Sequence, residues 1–103
     1  MVKLKSSSVN LSNIHKKVFF AIYKVAEIYE EMGIDLVITS ARDSIHSKHS
    51  LHYVGRAIDI RVFNIPQQYS HKDVMEKIKK AIGDDEFDVV YEKTHIHIEY
   101  DPH

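Results

Sequence analysis

The sequence predicts an α+β domain: a small, mostly antiparallel sheet with two helices packed on one face. Three observations lead there. Apolar residues recur at helical spacing in two segments, from about Leu11 to Met32 and from about His71 to Ile82. Four short runs read as strands, two of them with strict alternation of apolar and polar residues. The order is helix, strand, long loop, strand, helix and two strands.

Each element has its own justification. In the first helix, Ile14, Val18, Ile22, Val25, Tyr29 and Met32 form one apolar stripe. Asn10 or Ser12 is positioned to cap its start, and Gly33 to stop it. Its opposite face carries Lys16, Lys17, Lys24, Glu27 and Glu31, which predicts a core-packing helix with a solvated side. The first strand is Ile34 to Thr39, and the loop Ser40 to Gly55 leads to a second strand, Arg56 to Phe63. The second helix opens on Ser70 with Asp73 three residues on, a capping box with Asp in place of Glu. Val74, Ile78 and Ile82 make its stripe and Gly83 ends it. Its lysines, Lys72, Lys77, Lys79 and Lys80, are interleaved with Asp73 and Glu76 and read as a solvated face. The last strands, Phe87 to Tyr91 and Thr94 to Tyr100, are separated by only Glu92 and Lys93, which predicts a hairpin.

Composition narrows the function. A chain of 103 residues is read as one domain, residues 1–103. Its 14 Lys+Arg balance 15 Asp+Glu, so no bulk charge draws it to nucleic acid or to an anionic membrane. No run is long and apolar enough to span a bilayer, and the start lacks the apolar core of a signal peptide. A monomer made in the cytoplasm is expected. Cys is absent, which excludes disulfides, thiolate zinc and a cysteine nucleophile. Against this background the 8 His stand out.

Strand periodicity places several of them. On the second strand Ile58, Ile60 and Val62 share one face, and Ala57, Asp59 and Arg61 the other. On the fourth, Ile96, Ile98 and Tyr100 oppose His95, His97 and Glu99. Arg61 and Glu99 are expected to face water. His46, His49 and His52 fall in the long loop. One loop His, one strand Asp and one His of a neighbouring strand make a His/Asp zinc set with a position left for water.

These residues resemble a known family. His52-Tyr53-Val54-Gly55-Arg56-Ala57-Ile58-Asp59 fits H-x-x-G-x-A-x-D, with Ser50 two residues before the His. With His95-Ile96-His97 it resembles the zinc D-Ala-D-Ala peptidase superfamily, and most closely the hedgehog-type amino-terminal signalling domain that shares the peptidase fold. Phe87-Asp88 and Val90-Tyr91-Glu92 also resemble that branch. The likeness covers about residues 36–100.

The resemblance implies a hedgehog/DD-peptidase-like fold and one Zn2+. His52, Asp59 and His97 are then its ligands, with His95 beside the metal. It implies Glu92 as general base for the hydrolytic water. His46 takes an oxyanion or substrate role, and Arg42 binds the substrate carboxylate or the oxyanion. Glu92 stands three residues before His95, so a second register, in which His95 is the ligand, stays open. The expected activity is hydrolysis of an amide in peptidoglycan stem peptides, at the bacterial wall or periplasm, as for a phage-encoded lytic protein. The alternative is a non-catalytic, zinc-containing, hedgehog-like module that docks a protein partner. His15, His49, His71 and His103 are expected to be structural or exposed.

Overall fold

Among the described residues, seven elements follow one another in a computed structural model: β1 (Val2–Leu4), α1 (Lys16–Glu31), β2 (Leu36–Ser40), β3 (Ala57–Arg61), α2 (His71–Ile82), β4 (Phe87–Glu92) and β5 (His95–Tyr100). The structure describes residues 1–7, 9–12, 14–41 and 56–101. Arg42, His46, His49, His52 and His103 lie outside the described residues.

The five strands form one sheet in the order β1-β2-β3-β5-β4. Three contacts, β2–β3, β3–β5 and β4–β5, are antiparallel, as expected. The fourth is parallel: β1 lies along β2, Val2 against Leu36 and Leu4 against Ile38. The sheet is therefore mixed rather than mostly antiparallel. Sequence reading misses β1 because the strand has only three residues, all exposed, too few to establish a strand period. Backbone bonds hold it, Leu36 N–H to the Met1 carbonyl and Lys5 N–H to the Ile38 carbonyl, both at 2.9 Å. Lys3 Nζ adds an ion pair to Asp35 at 3.0 Å and holds that carboxyl below its usual range.

One face of the sheet makes the core. Ile38, Ile58, Ile60, Ile96 and Ile98 are fully buried against Val18, Ala21, Val25 and Tyr29 of α1 and Val74 and Ile78 of α2. Tyr29 is anchored there by a polar bond: its hydroxyl donates to the Arg61 carbonyl at 3.1 Å. Burial pushes that phenol up, because the phenolate has no water to solvate it. The bond ties the end of α1 to the end of β3.

The helix ends show what local signals can and cannot reveal. In α2, the Ser70 hydroxyl accepts from Asp73 N–H at 3.3 Å, and Gly83 closes the helix at φ +60°, where a side chain is strained. Both were expected. In α1 the cap is neither Asn10 nor Ser12 but His15, whose Nδ1 accepts from Lys17 N–H at 3.1 Å. Asn10 instead accepts from Ser12 N–H at 2.8 Å and builds a turn ahead of the helix. Val9 and Ile14 are buried although they precede α1, so apolar spacing ran past the helix that it marks.

Candidate metal centre

The second face of the sheet carries the titratable side chains of β3 and β5. In β3–β5 pairing, Ala57 lies against Glu99, Asp59 against His97 and Arg61 against His95. From the other side β4 brings Asp88 against Glu99, Val90 against His97 and Glu92 against His95. Cross-strand neighbours share a face. So Asp59, His95, His97, Glu99 and Glu92 share one face of β3, β5 and the edge strand β4, away from the helices.

Asp59 sits where β2 is irregular. Ile38 pairs with Ile60 but Ser40 pairs with Asp59, so Thr39 is an extra residue in β2. The Thr39 hydroxyl donates to the Asp59 carbonyl at 3.3 Å. This bulge pins the backbone of Asp59 from one side, while β5 pins it from the other.

Side-chain geometry centres on His97. Its Nδ1 lies 2.7 Å from Asp59 Oδ1, and its Nε2 lies 2.6 Å from Glu99 Oε1. Both ring nitrogens donate to carboxylates, which is the bonding of an imidazolium. The His97 pKa is accordingly pushed up to about 9. The hydrogen bond that His97 donates to Asp59 contributes most, burial opposes it, and the bond to Glu99 adds to the rise.

His95 forms the next layer. Its Nε2 lies 3.4 Å from Glu92 Oε1 and 3.7 Å from Asp59 Oδ1, and its Nδ1 lies 3.0 Å from Thr94 Oγ1. The Glu92 side chain is half exposed, at 51%, and so stays open to water. A cleft of about 490 Å³ flanks Asp59 and His95, with Lys5, Arg61 and Phe63 among its walls.

Two residues expected to face water do more. Glu99 holds His97, as above. Its signal was available: it lies two residues from His97 and thus on the same strand face. Arg61 stacks its guanidinium over Phe63 at 4.6 Å from the ring centroid, with a buried Nε. His71 bonds the Tyr91 hydroxyl through Nδ1 at 3.0 Å, a structural contact between α2 and β4.

A family model for the hedgehog amino-terminal signalling domain matches residues 8–99. The chain belongs to that family. No curated protein matches it at a significant level. The match spans the whole hedgehog-type polar face just described, from Thr39 to Glu99.

The donor chemistry of this hedgehog-type domain fits a metal ion. Asp59 Oδ1 and His97 Nδ1 face one another as two donors to one ion do, and Glu99 takes the remaining ring N–H of His97. That carboxylate–imidazole contact is the usual support of a metal-ligating His. Of the two histidines, His97 lies nearer to Asp59, with Nδ1 at 2.7 Å from Oδ1, than His95, with Nε2 at 3.7 Å. A separate acidic group, Asp88, Glu99 and Asp101, also brings ligand atoms within 4.8 Å of one another. It consists of hard oxygen donors near the surface, and Glu99 is already engaged by His97.

A pH dependence follows for metal-free protein. The folded-state pKa of His97 is raised above its ordinary 6.5, so its ion pairs contribute stability in full below pH 6.5. That contribution is lost as pH rises through about 9. In chelator-treated protein, the thermal midpoint is expected to fall between these values, and His97→Gln to flatten the fall. An unchanged slope in the variant refutes the assignment.

Proposed function

We propose that this hedgehog-type domain is a zinc-dependent peptidase that hydrolyses an amide bond in peptidoglycan stem peptides. One observation carries the reading: the Asp59–His97–Glu99 chain of contacts with Glu92 and His95 directly beside it. His52, Asp59 and His97 are the proposed ligands. Zinc held there supplies Lewis acidity toward the scissile carbonyl and toward water.

The chain's own residues do the rest. Asp59 and His97 would serve as ligands, with His97 releasing its Nδ1 proton to solvent and with it their mutual hydrogen bond. Glu99 keeps the Nε2 proton of His97 and so fixes the ring. Glu92 takes the proton of the hydrolytic water and delivers it to the departing amine. His95, held through its other nitrogen by Thr94, steadies the Glu92 carboxylate. Arg42 and His46 are proposed for substrate carboxylate and oxyanion, roles suited to cationic donors. Action at the bacterial wall or periplasm goes with this substrate.

The test is a panel of peptidoglycan peptides offering D-Ala-D-Ala and L-Ala-D-Glu bonds, with zinc-loaded protein and release followed by mass spectrometry. Cleavage of one class that stops on chelation supports the proposal. No cleavage across the panel, beside an active peptidase control, sinks it. Glu99→Gln adds a prediction on metal: zinc affinity is expected to drop by about 10–100-fold, measured by competition with a chromogenic chelator.

A second reading is favoured by the family match, because that family is named for a signalling domain. In it the same residues hold a structural zinc and the polar face docks a protein partner without turnover. Zinc present at one equivalent, with no hydrolysis of any peptide, selects it.

A further inference from the structure

The outer face of α1 does not match the solvated helix expected from its charges. Its inward residues, Val18, Ala21, Ile22, Val25, Ile28 and Tyr29, are buried. Outward it shows three aromatics: Phe19, 50% exposed, Phe20, 45%, and Tyr23, 62%. They are neighbours at helical spacing and make one patch. Lys24 lies at its rim, with Nζ 5.6 Å from the Phe20 ring centroid and 5.9 Å from that of Tyr23. Contiguous exposed aromatic surface marks contact with something other than water.

The charges around the patch identify the occupant. Lys16 and Lys17 stand in the first turn, while Glu27, Glu30 and Glu31 stand toward the end. The first turn has no acid and the last turn no base. This opposes the helix dipole, which favours acids at the start and bases at the end. The arrangement is unfavourable for a helix alone. Within the chain it is offset only in part, by Lys17 to Asp84 at 3.7 Å and Lys24 to Glu27 at 3.9 Å, and a second α1 running the opposite way corrects it further, because each basic end then meets an acidic one.

We propose that α1 packs against α1 of a second copy of this chain, antiparallel, about a twofold axis between Phe20 and Tyr23. Phe20 then lies opposite Tyr23 of the second copy, Phe19 opposite Lys24, and Lys16 opposite Glu27 and within a turn of Glu30. The contact is isologous, so each pair occurs twice. A parallel pairing sets Lys16 on Lys16 and Glu27 on Glu27 and is disfavoured. An anionic lipid surface is disfavoured by the three glutamates. This replaces the expected monomer with a weak dimer, since a single helix stripe is smaller than a standard interface.

Sedimentation equilibrium on the whole chain tests it. The mean mass is expected to rise from 12.0 kDa toward twice that value, with a dissociation constant on the order of 10–100 µM. Phe20→Glu is expected to be monomeric throughout, with an unchanged circular dichroism spectrum. Tyr23→Ser is the second variant should Phe20→Glu not fold. Lys16→Glu is expected to weaken dimerisation by about tenfold, and adding Glu27→Lys to restore it. A monomeric parent overturns the proposal, whether the face is bare or takes a different protein. So does a dimer indifferent to Phe20→Glu and Tyr23→Ser, or a double variant no tighter than Lys16→Glu alone.

Discussion

Glu92→Gln is expected to cut peptide hydrolysis by about 10²–10⁴-fold while leaving zinc content at the parent value. The amide keeps the size and shape of the carboxylate but cannot take a proton from water at neutral pH. Glu92 ends β4, pairs in register with His95 and has its carboxylate 3.4 Å from His95 Nε2. It is thus held against His95, whose Nε2 lies 3.7 Å from the proposed ligand Asp59. Asp59→Ala is expected to show the opposite division: zinc is lost and activity goes with it, because Asp59 contacts His97 directly. Steady-state kinetics paired with elemental analysis of each variant read the two effects apart. A Glu92→Gln protein with parental turnover would falsify the general-base role. Equal loss of metal in both variants would move Glu92 into the ligand set.

Ile98→Ala is expected to destabilise the fold by about 2–5 kcal/mol, a large share of the roughly 5–15 kcal/mol that holds a domain together. Ile98 is fully buried and sits at the crossing of the sheet, paired with Ile58 on β3 and Val89 on β4. The same strand carries His97 and Glu99 on either side of it, facing the other way. A cavity on the core face therefore loosens the strand that positions the site. Urea unfolding measures the loss in stability, and zinc competition measures the loss in affinity. Val90→Ala is the control: this β4 residue is 48% exposed and is expected to shift stability by no more than about 0.5 kcal/mol. If Ile98→Ala unfolds at the parental urea midpoint, the assignment of the core face is mistaken.

Legibility varied along the chain for physical reasons. The ends of α2 were legible because its signals are local: a hydroxyl three residues from an N–H, and a glycine at positive φ. The start of α1 was not, because Val9 and Ile14 are buried by turns rather than by helix. Those turns close through Val9 N–H to the Ser6 carbonyl and Ile14 N–H to the Leu11 carbonyl, both at 3.1 Å. Burial periodicity cannot tell the two apart. At the site, Asp59, His95, His97 and Glu92 could be nominated from residue type and resemblance. Glu99 was legible only as a neighbour of His97 on the same strand face, and an acid there usually meets only water. Its value came from the 2.6 Å contact to His97.

What the sequence determined by itself was which side chains share a face. Period-two alternation in β3 and β5 separates isoleucines from Asp59, His95 and His97 whatever the strands pair with. Alternation says nothing of which strands are neighbours or in what register. Those were decided by tertiary structure: β5 inserts between β3 and β4, and Asp59 meets His97 across a sequence separation of 38. Slipping β5 by one residue against β3 turns His95, His97 and Glu99 into the core and leaves Asp59 on the opposite face. The register that buries Ile58 against Ile98 and Ile60 against Ile96 also sets Asp59 against His97. The hydrophobic face of the sheet thereby aligns the polar one.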